Sequence, residues 1–287
     1  MLTTDSSLIL EVFGLNNQQK PFRETCYERG IYIDGLVAPI IIQDLIRSLW
    51  PKKTQHKLIR IGGNADGGYL VPDDLYEIAC CFSPGVSDIA LFEAELQKRN
   101  IGSHLADLSV DGPPGEFRAL SFTKKFLGAV DNAEFITLES WVREKSIRYP
   151  DEDLILQMDI EAGEYETIIS TPADILSKFR IIVIEIHNVE SWACPPFFRI
   201  VKAFFSKLLA THAPVHIHPN NCCGVANING LFLPRVFELT LHRNDRILDL
   251  GYCSEFPHPL DRPNVPGEDL VLPKNWYHSG LPSHNYG

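Results

Sequence analysis

Short apolar runs alternate with amphipathic segments over most of this chain. Runs of four to seven residues, of the kind that form buried strands, lie at 58–61, 78–82, 104–107, 154–158, 180–186 and 215–218. A further run, 236–241, alternates apolar and polar residues and predicts an antiparallel edge strand. Amphipathic segments predict helices over 36–50, 88–99, 164–170 and 196–210. This alternation is typical of an α/β fold with a doubly wound, mostly parallel sheet.

Two of the predicted helices have a clear apolar face. In 88–99, Asp88 is placed to cap the helix, and its buried face is predicted to hold Ile89, Phe92 and Leu96. In 196–210 the apolar stripe consists of Phe197, Ile200, Val201, Phe204, Phe205, Leu208 and Leu209. Both helices are therefore expected to pack on a sheet.

A glycine-rich segment separates the apolar runs 58–61 and 69–71. It contains Asp66-Gly67, which between two apolar runs is a hairpin signal. Glycines at 62, 63, 67 and 68 also allow backbone to come close to a ligand. A plain hairpin turn and a binding loop are both compatible with this pattern.

Composition and charge exclude several classes of protein. The 287 residues include 26 Lys and Arg against 37 Asp and Glu, a formal net charge of −11, so a nucleic-acid binder is not expected. No stretch approaches the roughly 20 apolar residues of a membrane span. The first residues lack a basic region ahead of an apolar one, so we expect no signal peptide and a cytoplasmic protein. The sequence makes no prediction of oligomeric state.

The seven cysteines include two adjacent pairs, 80–81 and 222–223, and neither pair has the spacing of a zinc site. Adjacent cysteines rarely bridge, so reduced thiols are expected. By pattern the chain divides into an N-terminal helical cap at 1–56, a main domain at 57–249 and an irregular tail rich in proline and aromatic residues at 250–287. The tail is expected to wrap the surface or the site.

The most informative segment is 153–166, where a buried strand is followed by four carboxylates within eight residues. Open α/β sheets bind ligands at the carboxyl edge, which is where such a strand ends. Asp159, directly after the apolar run, is the best candidate for a functional role. For Glu164 and Glu166 a solvated acidic turn is the better interpretation.

The turn Ser83-Pro84-Gly85-Val86-Ser87-Asp88 follows the first central strand, where nucleotide-type cofactors bind. Gly85 would let a ligand approach the backbone, and Asp107, at the end of the next strand, could accept hydrogen bonds from ribose hydroxyls. The full Gly-x-Gly-x-x-Gly pattern is absent, which weakens a dinucleotide interpretation.

Histidines lie at the ends of two further predicted strands. His187 lies two residues after Glu185, so both point to one side if the strand continues, and His216 and His218 alternate in the same way. Carboxylates and histidines at one edge could hold a divalent metal such as Mg²⁺, Mn²⁺ or Zn²⁺. They could equally deprotonate a substrate hydroxyl without a metal.

These residues resemble the FkbM-like methyltransferases, a family of class I enzymes that use S-adenosylmethionine. The segment 159–166, Asp-Ile-Glu-Ala-Gly-Glu-Tyr-Glu, is similar to the family's Asp-Ile-Glu-Gly-Ala-Glu signature, with Ala162 and Gly163 in reversed order. The pieces at 137–141, 183–187, 218–221 and 234–240 resemble the family in the same order along the chain. Ser83 stands where many class I enzymes carry an acid. The resemblance covers about residues 58–243.

The resemblance implies a Rossmann-like, seven-stranded class I methyltransferase sheet, with six strands parallel and one antiparallel. S-adenosyl-L-methionine would lie across its carboxyl edge, with the methionine end at 62–69 and 83–88 and the ribose at Asp107. The implied cofactor-binding residues are Gly62, Asp66, Gly68, Tyr69, Ser83, Gly85, Val86, Asp88, Asp107 and Asp159.

The implied reaction is transfer of a methyl group to a hydroxyl of a sugar, glycan or natural product. The residues expected around the acceptor are Asp159, Glu185, His187 and His218. His187 or His218 is the expected base, and a metal such as Mg²⁺ would be held by Asp159, Glu185 and His187. Two rival interpretations are a non-catalytic glycan- or partner-binding module on the same fold and an NAD-dependent oxidoreductase.

Overall fold

The computed structural model describes residues 22–86 and 88–278. Parts of the predicted cap, cofactor turn and tail (1–21, Ser87 and 279–287) lie outside the described residues. The chain divides into two compact units between Leu36 and Val37. The smaller unit contains helix α1 (Phe22–Glu28). The larger unit begins with helix α2 (Pro39–Ser48), which corresponds to the helix predicted at 36–50.

The described residues of the larger unit form thirteen strands. They are β1 (Leu58–Ile61), β2 (Tyr69–Pro72), β3 (Ile78–Pro84), β4 (Gly102–Ala106), β5 (Ser121–Thr123), β6 (Phe126–Leu127), β7 (Phe135–Ile136), β8 (Asp153–Met158), β9 (Phe179–Ile186), β10 (His212–Pro219), β11 (Val225–Ile228), β12 (Leu231–Pro234) and β13 (Phe237–Arg243). Strands β1 and β2 form the predicted antiparallel hairpin. The pairs β6–β7 and β11–β12 form two more small sheets.

The main sheet has seven strands in the order β10-β13-β9-β8-β3-β4-β5. Strand β13 is antiparallel to both neighbours, and the other six strands run parallel to one another. In chain order, the first five strands of this sheet are β3, β4, β5, β8 and β9. If they are numbered 1 to 5, they lie side by side in the doubly wound order 3-2-1-4-5, and the order changes direction between β3 and β8. The predicted α/β, mostly parallel sheet is therefore confirmed. Ligands bind such sheets outside the carboxyl ends of the strands at this change of direction.

The central strands form because their apolar runs are buried on both faces. Alternate residues of β8 belong to two separate hydrophobic clusters: Leu156 packs in the larger cluster and Ile155 in the smaller one. Both side chains are 0% exposed. At about 25 cal/mol per Å² of apolar surface, each such side chain contributes roughly 1.5–3 kcal/mol when it is fully buried.

Strand β13 differs from the predicted edge strand because it lies inside the sheet, between β9 and β10. The polar side chains of its alternating pattern are buried by other parts of the chain instead of facing water. Thr240 Oγ1 donates to Leu70 O at 2.7 Å, and His242 Nε2 lies 3.0 Å from Asp74 Oδ2. The alternation therefore marks a polar face that is covered by hydrogen-bonding partners.

The other α-helices in the described residues are α3 (Leu91–Gln97), α4 (Leu138–Lys145), α5 (Glu164–Ser170), α6 (Ala173–Leu176) and α7 (Pro195–Leu209). The predicted helix at 88–99 is shorter than expected, because its N-cap residue is Ala90 and Asp88 does not cap it. Ile89 is half-exposed, whereas Phe92 and Leu96 are buried as predicted. In α7, Ile200 is also exposed, and the rest of the stripe packs in the core.

Two further observations concern cysteines and membranes. Cys222 and Cys223 form a disulfide, so the expectation that adjacent cysteines stay reduced is wrong for this pair. Five cysteines are free, of which Cys26, Cys80 and Cys81 are buried. None of the helices in the described part of the chain is long and apolar enough to cross a membrane.

Candidate active site

A cleft of about 220 Å³ lies at the carboxyl ends of β3 and β8, where the sheet changes direction. Its walls come from the β1–β2 loop, the turn after β3, helix α3 and the end of β8. The lining residues are Asp66, Gly67, Tyr69, Gly85, Val86, Asp88, Ile89, Leu91, Phe92, Glu93, Gln157 and Asp159. Six of the ten predicted cofactor-binding residues are among them: Asp66, Tyr69, Gly85, Val86, Asp88 and Asp159.

The other four predicted residues do not line this cleft. Gly62 and Gly68 shape the β1–β2 loop, since a Cβ at Gly62 would overlap Gly67 O and one at Gly68 would overlap Gly63 O. Ser83 is fully buried beneath the cleft. Asp107 is buried beside it at the end of β4, where its Oδ1 accepts hydrogen bonds from Ser109 N at 2.7 Å and Ser109 Oγ at 2.6 Å.

Position 85 requires a glycine because the backbone of Asp159, after β8, lies directly against it. The φ of Gly85 is +79°, and a Cβ at this position would overlap the carbonyl oxygen of Asp159. Its N–H donates to Ala106 O at 2.9 Å. The turn after β3 is therefore packed directly on the end of β8, and this contact fixes Asp159 at the mouth of the cleft.

Two lining residues with polar side chains, Glu93 and Gln157, were not predicted from the sequence. The Glu93 carboxyl is buried, and its Oε1 lies 2.5 Å from Ser83 Oγ. Ser83 Oγ lies 2.7 Å from Gln157 Oε1, and Gln157 Nε2 donates to Tyr69 Oη at 3.3 Å. A usable signal was present for Gln157, because it is a polar residue within a strand that is buried on both faces.

A second group of polar residues lies beside the cleft, around His187. His187 Nδ1 is 2.9 Å from Glu164 Oε1, and its Nε2 is 3.8 Å from Asp159 Oδ1 and 3.6 Å from Glu161 Oε2. Glu164 is 0% exposed, so the solvated turn predicted for it is wrong, whereas Glu166 is exposed as predicted. The reason is that α5 begins at Glu164, which turns this side chain under His187.

The backbone around His187 is also fixed. Tyr165 Oη donates to His187 O at 2.8 Å, and Trp192 Nε1 donates to Tyr165 Oη at 3.0 Å. The buried Glu164 carboxylate holds the ring from the other side. A histidine whose Nδ1–H donates to a carboxylate presents Nε2 in the form that can take up a proton or coordinate a metal.

Burial and neighbouring charges change the pKa values of this group. Burial raises the pKa of Asp159 to about 6, against the opposing effects of Glu185 and His187. Burial and the negative charges of Asp159 and Glu238 raise the pKa of Glu185 well above its usual range. Burial alone would lower the pKa of His187, but Glu164, Asp159 and Glu161 raise it overall.

Glu185 connects this group to the next strands. Its Oε1 accepts a hydrogen bond from Asn220 Nδ2 at 2.7 Å, and Glu185 pairs with Glu238 across β9 and β13. Glu238 in turn contacts His218, whose Nδ1 is 3.3 Å from Glu238 Oε2. The structure therefore brings Asp159 and His187 together, with Glu185 next to them and His218 beyond.

Carboxylates face both ring nitrogens of His218. Its Nε2 lies 3.1 Å from Asp269 Oδ1, in addition to the Glu238 contact at Nδ1. Burial favours a lower pKa, but Glu238, Asp261 and Asp269 raise the pKa of His218 to about 9. At neutral pH this histidine is charged and cannot accept a proton, so the geometry does not support His218 as a base.

The C-terminal tail supplies several of these partners. Asp261 Oδ1 lies 2.9 Å from His216 Nε2, and Asn264 Nδ2 donates to Glu238 Oε1 at 2.6 Å. Asp66 N, in the wall of the cleft, donates to Asn264 O at 3.1 Å. The tail thus covers the ends of β10 and β13 and contacts the glycine-rich loop.

The residues around His187 fit a divalent cation. Asp159, Glu161 and His187 each offer one ligand atom, and these atoms lie within 4.8 Å of one another. Asp159 Oδ1 is buried without a hydrogen-bond partner within the described part of the chain. Glu164 would orient His187 as an outer-shell partner. Glu185, predicted as a ligand, is not in this group, and Glu161 takes its place.

Neither the comparison with known protein families nor the search of curated proteins finds a match for this chain.

Proposed function

We propose that the protein is a class I methyltransferase that transfers a methyl group from S-adenosyl-L-methionine to a hydroxyl of a sugar, glycan or natural product. The observation that carries this proposal is the charge of the cleft at the change of strand direction. Its described lining contains four carboxyl groups, Asp66, Asp88, Glu93 and Asp159, and no lysine, arginine or histidine. Such a cleft favours a ligand with positive charge, and S-adenosylmethionine carries a net positive charge, since its sulfonium and ammonium groups are opposed by a single carboxylate.

The same observation disfavours the NAD-dependent oxidoreductase. A dinucleotide carries two phosphates, which bind where backbone N–H groups or basic side chains face them. The sheet also differs from the dinucleotide-binding order of six parallel strands, because β13 is antiparallel. One antiparallel strand among seven is what the resemblance to the class I methyltransferases implies.

In this proposal Asp107, beside the cleft at the end of β4, serves the ribose. The cleft extends from Gly85 towards Gln157 of β8 and Asp159 directly after this strand, away from Asp107, and would hold the methionine end. When bound, the cofactor supplies a methyl group already activated by the sulfonium. The protein then has to position the acceptor oxygen and remove its proton.

His187 is the residue best placed to remove that proton. Glu164 holds its Nδ1, so the proton of the acceptor hydroxyl would pass to Nε2 as the oxygen bonds to the methyl carbon. The imidazolium that forms is stabilised by the charge of Glu164. Replacing His187 by Gln should lower turnover by about 10²-fold or more and leave cofactor affinity unchanged. The same change at His278, which is exposed, is the matched control.

A metal at Asp159, Glu161 and His187 is the alternative way to activate the acceptor. A divalent cation there would lower the pKa of a bound hydroxyl. His187 Nε2 can accept a proton or coordinate a cation, but it cannot do both at once. Titration calorimetry with Mg²⁺ and Mn²⁺ on the wild type and on Glu161→Gln separates the two, with Glu166→Gln as the control. Equal affinity of Glu161→Gln and Glu166→Gln for the metal ions, or turnover unchanged after complete chelation, would exclude a metal at this site.

The proposal as a whole is tested by titration calorimetry with S-adenosylhomocysteine and, in a separate control titration, with NAD. We expect micromolar binding of S-adenosylhomocysteine and none of NAD. Binding of NAD alone would favour the oxidoreductase. Folded protein that binds neither would contradict the proposal, and binding without methyl transfer to a panel of hydroxyl acceptors would favour the non-catalytic module.

A further inference from the structure

One wall of the cleft contains a carboxyl group that the proposed chemistry does not use. Glu93 lies on α3, and only 3% of the residue is exposed, yet it lines the cleft. It begins a row of buried polar groups that continues through Ser83 and Gln157 to Tyr69. All four residues are less than one-tenth exposed. A carboxyl group buried this deeply is costly unless its charge has a partner.

With the Gln157 amide oriented as it is in the structure, a count of the hydrogens along this row favours a protonated Glu93. Ser83 Oγ lies 2.5 Å from Glu93 Oε1 and 2.7 Å from Gln157 Oε1, and both neighbours are oxygens. A hydroxyl has one hydrogen, so it can donate to only one of them. Both contacts are hydrogen bonds if Glu93 is protonated and donates to Ser83, which donates to Gln157. Burial raises the pKa of Glu93, in agreement with this arrangement.

We infer that Glu93 is the counter-ion for the ammonium group of the ligand's amino-acid part, and that it loses its proton when that group binds. This inference rests on the proposed function. It follows from three features: Glu93 is the most buried carboxyl of the cleft, no basic side chain of the described lining neutralises it, and it sits at the end away from Asp107. An ammonium group would supply the missing positive charge and three donors.

When Glu93 loses its proton, the hydrogen bonds along the row from Ser83 to Tyr69 can all reverse direction. Glu93 releases one proton to solvent and becomes a carboxylate. Ser83 then turns its hydroxyl to donate to Glu93, and the Gln157 amide rotates so that Nε2 donates to Ser83. Tyr69 Oη, which accepts from Gln157 in the free protein, donates to Gln157 Oε1 instead. Every buried group keeps a partner in both states.

Other titratable groups face this region and have to be separated in the experiment. Asp66, Asp88 and Asp159 line the same cleft, Tyr69 lies at the end of the row, and Cys81 of β3 interacts with the charge of Glu93. The probe for Glu93 is therefore a pair of ligands that differ only in the amino-acid part. S-adenosylhomocysteine contains the ammonium group, and 5′-methylthioadenosine lacks it.

The experiment is titration calorimetry of the full chain at pH 7.5 in two buffers of different ionisation enthalpy. For the wild type we expect proton release with S-adenosylhomocysteine and none with methylthioadenosine. Glu93→Gln should bind S-adenosylhomocysteine about 10- to 100-fold more weakly, release no proton and bind methylthioadenosine unchanged. Glu144→Gln, at an exposed carboxylate, should behave as the wild type.

The outcomes distinguish this inference from the proposed function. Wild-type protein that binds neither ligand contradicts the function itself. Wild-type binding of both ligands with equal proton release overturns only the assignment of Glu93, as does unchanged affinity for S-adenosylhomocysteine in Glu93→Gln. The wild-type comparison of the two ligands needs no variant, so the inference stays testable if Glu93→Gln fails to fold.

Discussion

Replacing Ala162 by glycine should stabilise the protein, because Ala162 holds a backbone conformation that favours glycine. The turn between β8 and α5 has two consecutive non-glycine residues with positive φ, Glu161 at +54° and Ala162 at +77°. The glycine of this turn, Gly163, has an ordinary φ of −73° and does not need to be glycine for conformational reasons. The reversed Ala-Gly order thus places alanine at the position where the resemblance predicts glycine.

The magnitude follows from two opposing terms. An alanine in the left-handed region costs about 1–2 kcal/mol relative to the right-handed region, and glycine removes this cost. Glycine also loses about 0.4–1 kcal/mol more conformational entropy on folding than alanine does. The Ala162 methyl is only partly buried, so its loss adds little. The free energy of unfolding should rise by about 0.5–1 kcal/mol, or about 0.2–0.3 M in urea midpoint at a slope of about 3 kcal/mol/M.

Urea unfolding followed by tryptophan fluorescence measures this difference directly. The matched control is Ala203→Gly, at an exposed position inside α7, where the same change should lower the free energy of unfolding by about 1 kcal/mol. Opposite signs for the two variants are the diagnostic result. If Ala162→Gly destabilises the protein as much as Ala203→Gly does, Ala162 does not have a left-handed backbone conformation.

Two further predictions concern buried ion pairs. His218 has a pKa of about 9 in the folded protein against about 6.5 unfolded, so its contribution is complete below pH 6.5 and is lost as pH rises through 9. The free energy of unfolding should fall by up to about 3 kcal/mol between pH 6.5 and 10, and His218→Gln should remove most of this slope in urea titrations. Asp74 accepts hydrogen bonds from Arg246 and contacts the buried His242 and Arg180. Asp74→Ala should cost about 3–5 kcal/mol, whereas Asp44→Ala, in an exposed pair, should cost less than about 1 kcal/mol by the same measurement.

The main sheet could be predicted because burial on both faces leaves a strong trace in the sequence. Strands β3, β8 and β9 are mostly apolar runs, and the structure has each of them within two residues of the predicted range. Strand β5 could not be predicted, since its three residues, Ser121–Thr123, are only partly buried and pair with one neighbour. The prediction that β13 lies at an edge of the sheet was wrong for a different reason. Its polar residues are buried against different partners: Thr240 against β2, His242 against Asp74, and Glu238 against His218 and the tail. A pattern of alternation cannot distinguish water from a polar partner.

The candidate site could be predicted where its residues follow strands directly. Asp159 and His187 do so, and the rule that ligands bind at the carboxyl edge of the sheet places both together. Glu93 gave no such signal, because it lies within a helix, next to the apolar Phe92, where a glutamate is usually exposed. Only the position of Ser83 beneath the cleft shows why this glutamate is buried.

The two histidines show what the sequence alone leaves open. His187 directly follows β9 and His218 lies near the end of β10 at the same edge of the sheet, so their positions are equivalent as patterns. Their partners differ. Glu164, 23 residues from His187, lies 2.9 Å from Nδ1, and the carboxylates nearest to Nε2, Glu161 and Asp159, stay 3.6 and 3.8 Å away. His218 is held at Nδ1 by Glu238 and at Nε2 by Asp269, which lies 51 residues away in the tail at a distance of 3.1 Å. A carboxylate within hydrogen-bond distance of Nε2 keeps the proton on His218, and this separates a structural cation from a candidate base. The base can therefore be chosen only after the tail has been placed against β10.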